Sequence, residues 1–225
     1  TTGGSVADTT GALVNFLRGV GMEVPVYKGG TPEGDYLLVG AYEPTQWGSG
    51  MSDIMEWVYK GHTLIIVDNP ERWAEFLADK EVLDYRGSKI LGKSWYGGNF
   101  FNREHPIFMN LPANSAFNWE YQCFATYNRR RIGLRCFNGE TLVGCVSDHK
   151  KEVYSALQVI PAGSGKVIIT TLDIPACFKG IKEYTAPVDL DGMNESMNTF
   201  NTKSENRANV VGQQLLLNLL KEVYR

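Results

Sequence analysis

A chain of 225 residues, 43% hydrophobic and 21% charged, carries enough apolar material for one sizeable core and lacks the charge excess of an unfolded polymer. A formal net charge of -3 gives no basic excess for nucleic acid, and no stretch reaches the roughly 20 apolar residues of a membrane span. The four cysteines (Cys123, Cys136, Cys145, Cys177) form no C-x-x-C pair, which argues against zinc-ribbon and thioredoxin-like sites; three of them sit among apolar neighbours as inert thiols.

The chain opens Thr1-Thr2-Gly3-Gly4, without a methionine or an apolar leader, and so reads as a piece of a longer polypeptide. Apolar residues at 12, 13, 16, 17 and 20 predict a helix over 12–20, stopped by Gly21. A short β-prone run follows at 23–27. Residues 35–40 are a continuous apolar strand ending in glycine, the form of a parallel strand buried on both faces. A helix is expected over 52–59, a second apolar strand over 62–67, and a helix over 71–78 that Asp68-Asn69-Pro70 opens. Strand and helix alternating at this spacing imply parallel crossovers.

A short strand at 89–91 precedes Trp95-Tyr96. Beyond residue 122 the pattern turns to strands, at 132–136, 141–146, 155–160 and 166–172. Asn138-Gly139 is a hairpin signal between the first two, and residues 162–165 join the last two. Arg129-Arg130-Arg131 reads as a solvated turn before a strand. Residues 183–207 read as a long polar loop, and 209–224 as a terminal helix with one apolar face. No linker divides residues 1–225, so one domain is expected.

Two strings are distinctive: HPIFMNLPANSAFNWEYQ at 105–122 and IPAGSGKVIITTLDI at 160–174. Both resemble the C-terminal amidotransferase-like module attached to some bacterial family 2 glycoside hydrolases, the family that includes β-galactosidases. The resemblance runs from about Ala12 to the end. It implies an α/β fold of the flavodoxin-like, class I glutamine amidotransferase-like kind, a three-layer sandwich with a mostly parallel sheet and an antiparallel, strand-rich second half. It also implies catalytic domains of the same parent chain as partners, with an O-glycosyl hydrolase as the parent. A periplasmic or secreted location follows from the same resemblance, and a homo-oligomer is compatible with it. No cofactor and no metal are expected. A (β/α)₈ barrel does not fit, because it needs at least ~200 residues of regular alternation.

Glutamine amide hydrolysis requires a thiolate, a histidine base and an acid that orients the histidine. The resemblance places the nucleophile on the turn after residues 63–67, where Asp68 stands. The expected His-Pro-Glu is missing as well: the nearest histidine, His149, lies in a charged turn with Glu152 three positions later. A scaffold without its triad is expected, and hence no catalytic residue.

Ligands of open parallel sheets bind beyond the carboxyl ends of the strands. Tyr42, Glu43, Asp68, Asn69, Trp95, Asn118, Trp119 and Glu120 are the candidates for that rim. Aromatics beside carboxylates and amides suit an oligosaccharide. Against this stand plainer roles: Asp68 as a helix cap, and Trp119 and Tyr121 as alternate core residues of a strand. His105 reads as a turn residue and His62 as solvent-facing. Asp189-Leu190-Asp191-Gly192 lacks the further ligands of a calcium loop, and Asn194-Glu195-Ser196 is a formal glycosylation sequon. The leading functional reading is a non-catalytic accessory or structural module with a carbohydrate site. The alternatives are an independent hydrolase using Asp68 and Glu120, and a protein-interaction domain.

Overall fold

The computed structural model describes residues 3–44, 50–91, 100–114, 116–117, 121, 124, 132–146, 152–178 and 204–225. In chain order the elements are β1 (Ser5–Ala7), α1 (Ala12–Gly19), β2 (Tyr36–Val39), α2 (Gly50–Tyr59), β3 (Thr63–Ile66), α3 (Pro70–Asp79), β4 (Tyr85–Ile90), β5 (Phe100–Asn102), β6 (Ile132–Cys136), β7 (Glu140–Val146), β8 (Val153–Ala162), β9 (Gly165–Thr170) and α4 (Ser204–Glu222). Single 3₁₀ turns lie at Pro106–Phe108 and Pro175–Cys177.

The nine strands of the described residues join one mixed sheet. Strands buried over most of their length form its parallel half in the order β1-β2-β3-β9, and Val26 adds a parallel bridge to Val6 on the outer side of β1. Their side chains alternate between two cores, as the pleat requires. Leu38, Ile65 and Ile168 meet α1 and α4 on one face; Leu37, Leu64, Ile66, Val167 and Ile169 meet α2 and α3 on the other. Each helix turns its apolar stripe to the sheet: Leu13, Phe16 and Leu17 in α1, and Trp73, Ala74 and Leu77 in α3. Among the described residues no helix is long and apolar enough to cross a membrane.

The antiparallel half is organised around β8. One edge of β8 is taken by β7, whose own far side carries β5. Its other edge is shared: β9 pairs up to Leu157, and β6 takes over at Ser155, with β4 beyond it. The β6–β4 pair therefore stands past the carboxyl end of β9. Gly139 turns the chain at φ 81, as the Asn138-Gly139 signal predicts, yet β6 and β7 pair with β8 and not with each other. The Asn138 side chain explains this, because it is committed elsewhere: it donates to Val82 O at 2.8 Å and accepts the Asp84 N–H at 2.7 Å.

Further departures from the sequence reading have local causes. The terminal helix spans Ser204–Glu222 and not 209–224, because its polar opening turns carry helical backbone without apolar periodicity. The remainder of the polar segment, 183–203, lies outside the described residues. Strands β1 and β5 are only three residues long and give little pattern to read. Tyr121 does not lie in a strand: Phe117 stacks on it at 4.1 Å between ring centroids, in a cluster with Phe100 and Phe124, so it is core by another route. His62 is half-buried and stacks on Trp57 at 4.5 Å.

The head of α1 is held by Asp8, which is 9% exposed. Its Oδ2 accepts the Leu13 N–H at 2.9 Å, and its Oδ1 accepts the Thr10 N–H at 3.1 Å and the Thr10 hydroxyl at 2.8 Å. A carboxylate here satisfies an orphan helix donor and faces the positive end of the dipole. Asp8→Ala is expected to cost about 2–3 kcal/mol in urea unfolding, and Asp8→Asn clearly less, since it keeps an acceptor.

Burial also shapes the response to alkali. It pushes the Cys145 thiol up to about 12, and the Cys136 thiol likewise, with Asp84 adding to the second. The Tyr36 hydroxyl is raised to about 12 by burial and by Tyr224. The folded state holds these protons while the unfolded chain has released them, so stability falls as pH rises from about 9 towards 12. Urea midpoints measured from pH 8 to 11 are expected to decline, and Cys145→Ala is expected to flatten the decline.

Candidate functional site

Strand β3 leaves the sheet through Val67, whose N–H still donates to Val39 O at 2.9 Å, and the chain turns at Asp68-Asn69 into α3. The N-cap is Asn69, in the left-handed region at φ 49 and ψ 44, with Pro70 as the first helical residue. Asparagine tolerates that conformation, and proline suits a first turn that needs no donor. Asp68, read from the sequence as the cap, is displaced from that role by one position. Its Oδ1 accepts the Asn69 N–H at 2.7 Å.

Beside it, β9 ends at Thr170 and continues through Thr171-Leu172-Asp173. The Thr170 hydroxyl donates to Ala156 O at 2.8 Å and accepts the Leu172 N–H at 3.1 Å, fixing the exit of the strand. Asp173 accepts the Ala176 N–H at 3.1 Å and so holds the next turn. The two strand exits open a cleft of about 620 Å³, lined on one side by Glu43, Asp68, Asn69, Glu71, Arg72 and Glu75 and on the other by Thr170, Thr171, Leu172 and Asp173. Ile132 at the start of β6 also lines it. Ser88 of β4 donates to the Glu71 carboxylate, which ties α3 to the antiparallel half.

The structure thus brings together Glu43, Asp68 and Asn69. Tyr42 lies outside this lining: its side chain packs on the α2–α3 core and its carbonyl accepts Trp73 Nε1 at 3.0 Å. The other candidates (Trp95, Asn118, Trp119 and Glu120) lie outside the described residues, as do His149 and Cys123. His105 is the turn residue expected, its Nδ1 accepting the Ile107 N–H at 3.2 Å.

Sequence reading missed the whole β9 side. Thr170, Thr171 and Asp173 reach the site because β9 is parallel to β3 and immediately next to it. The signal was present: Val167-Ile168-Ile169 is apolar at consecutive positions, the mark of a strand covered on both faces.

Chemically, the lining offers carboxylates, an amide, two threonines and one guanidinium, and among the described lining residues neither cysteine nor histidine. Asp173 is exposed and Asp68 half-buried. Carboxylates so placed can accept paired hydrogen bonds from the hydroxyls of a ligand. Among the described residues no group of three His, Cys, Asp or Glu side chains is placed to hold a metal ion.

No family model matches the chain, and no curated protein matches it. Among solved structures it is similar to the exo-beta-1,4-mannosidase Op5Man5 from Opitutaceae bacterium strain TAV5, a glycoside hydrolase, with a TM-score of 0.44 and 12% identity. The alignment covers 88% of this chain and 29% of that one, so the chain spans less than a third of its neighbour's length. A likeness of that grade locates no residue of the cleft.

Proposed function

We propose that the chain is a non-catalytic accessory module of a polysaccharide-degrading glycoside hydrolase, and that its cleft holds a carbohydrate. The observation that carries this reading is the cleft itself. It opens beyond the carboxyl ends of β3 and β9, where open α/β sheets bind ligands, and it has Asp68 at the turn where an amidotransferase would need a thiolate. The order of the bridge at Val26 followed by β1, β2, β3 and β9 supports a flavodoxin-like sheet of the amidotransferase-like kind. The strings at 105–122 and 160–174 support the link to family 2 glycoside hydrolases. On this reading the catalytic domains of the parent chain are the partners, and the parent works in the periplasm or outside the cell.

Isothermal titration against neutral plant and algal oligosaccharides tests the proposal. Binding is expected, with Asp173→Ala and Asp68→Ala each weakening it about tenfold, the loss of one or two charge-assisted hydrogen bonds. Silence across a broad panel would remove the carbohydrate role.

A second reading is favoured by one fact: two aspartates, Asp68 and Asp173, line the same cleft, as a glycosidase pair would. Nitrophenyl glycoside turnover abolished by Asp68→Asn would establish it in place of the first.

A further inference from the structure

A second recess of about 540 Å³ lies between α2 and α3, and it shares Glu43, Arg72 and Glu75 with the cleft. Shared lining residues set the two hollows side by side along α3, as a trough in two parts. The far part is lined by Met51, Ser52 and Phe76, so it adds an aromatic ring and a methionine to a channel whose near part is mostly polar. Each hollow alone has the size of a small-molecule pocket.

Resting on the carbohydrate reading above, we infer that this trough takes a linear, uncharged oligosaccharide along its length, with one sugar unit at Asp68 and Asp173 and a further unit against Phe76. Length follows from this adjacency, since a single ring at the strand exits would leave the α2–α3 recess empty. Phe76 supplies the apolar face that sugar C–H groups stack on. Lys80 stands 5.7 Å from the centre of its ring and is exposed, so a sugar can take the place of the ammonium at little cost. Charge selects against acidic sugars: the described lining of the trough carries six carboxylates and two cations, Arg72 and Lys80. A uronate would enter against like charge.

The test is a titration of the chain with β-1,4-linked gluco-, manno- and xylo-oligosaccharides of one to four units, beside oligogalacturonates of the same lengths. For at least one neutral series the dissociation constant is expected to fall about tenfold or more between one and three units. Phe76→Ala should erase that gain. Ser52→Trp, at an exposed position where folding is not at stake, should erase it by filling the recess. Equal affinity for one and three units would overturn the trough while leaving the carbohydrate site standing. Tighter binding of the galacturonates would overturn the charge selection. No binding of any sugar would overturn the carbohydrate reading and the trough with it.

Discussion

Gly165→Ala is expected to be strongly destabilising. A β-carbon at Gly165 would stand far inside van der Waals contact with the carbonyl oxygens of Val58 and His62. Neither can yield on its own. His62 O accepts the Lys166 N–H at 3.2 Å, and the neighbouring Tyr59 O accepts the Ser164 N–H at 3.0 Å, so the turn before β9 is laced to the end of α2. The added carbon must push β9 away from β3 in the centre of the sheet, or break these bonds. Overpacking against backbone costs about 3 kcal/mol or more, which for a chain of this length lowers the melting temperature by roughly 10 °C. Calorimetry or thermal circular dichroism reads it directly. A melting temperature within about 2 °C of the wild type would mean that the contact relaxes easily and that the packing argument is wrong.

The second large effect is expected at Asn218. This side chain is 2% exposed, and its Nδ2 donates to Ile107 O at 3.0 Å and to Met109 O at 2.8 Å, while its Oδ1 accepts Gln214 Nε2 at 2.8 Å. One amide thus fastens α4 to the Pro106–Phe108 turn. Asn218→Leu leaves the Ile107 carbonyl and the Gln214 amide without this partner in a dry interior, and the Met109 carbonyl without it nearer the surface. At about 1–3 kcal/mol per buried orphan, partly relieved by relaxation, the expected loss is about 3 kcal/mol in urea unfolding with an unchanged m-value. A double change of Gln214 and Asn218 to leucine should cost less than the two single changes added together, because the second removes an orphan that the first created. Strict additivity would show that the network is not coupled.

These two sites show where sequence reading succeeds and where it stops. The parallel half was legible because strands buried on both faces carry few polar positions: residues 36–39 and 64–66 are apolar at consecutive positions, and both strands were placed correctly. Helices α1 and α3 were legible from their stripes and from Pro70. The position of Asp68 at a strand exit was legible too. The site was only half read, because its other wall comes from a strand distant in sequence. Residues 166–172 could be recognised as a strand, but periodicity carries no information on which neighbour a strand chooses. The hairpin expected at Asn138-Gly139 failed for a related reason: the turn forms, but which strands pair is decided by tertiary contacts such as those of Asn138 with Val82 and Asp84. The distinctive string at 105–122 is, in its described part, a structural device. His105 holds a turn, Ile107 and Phe108 are buried, and Asn102 Nδ2 donates to Pro112 O at 2.7 Å and to the Tyr121 hydroxyl at 3.1 Å.

The adjacency of β3 and β9 also bears on how the chain is made. Residues 63–66 pair with residues 166–169, so β3 emerges from the ribosome long before the strand that covers its edge exists. During synthesis that edge is a bare row of amides and carbonyls on an apolar strand, the kind of surface that recruits the wrong partner. Pairing at such sequence separation also makes closure slow. A fragment ending at residue 146 is therefore expected to precipitate or to require a chaperone, whereas the chain carried through residue 225 has both the covering strand and α4 and stays dispersed. Translation speed across residues 70–165 becomes, on this view, a determinant of yield.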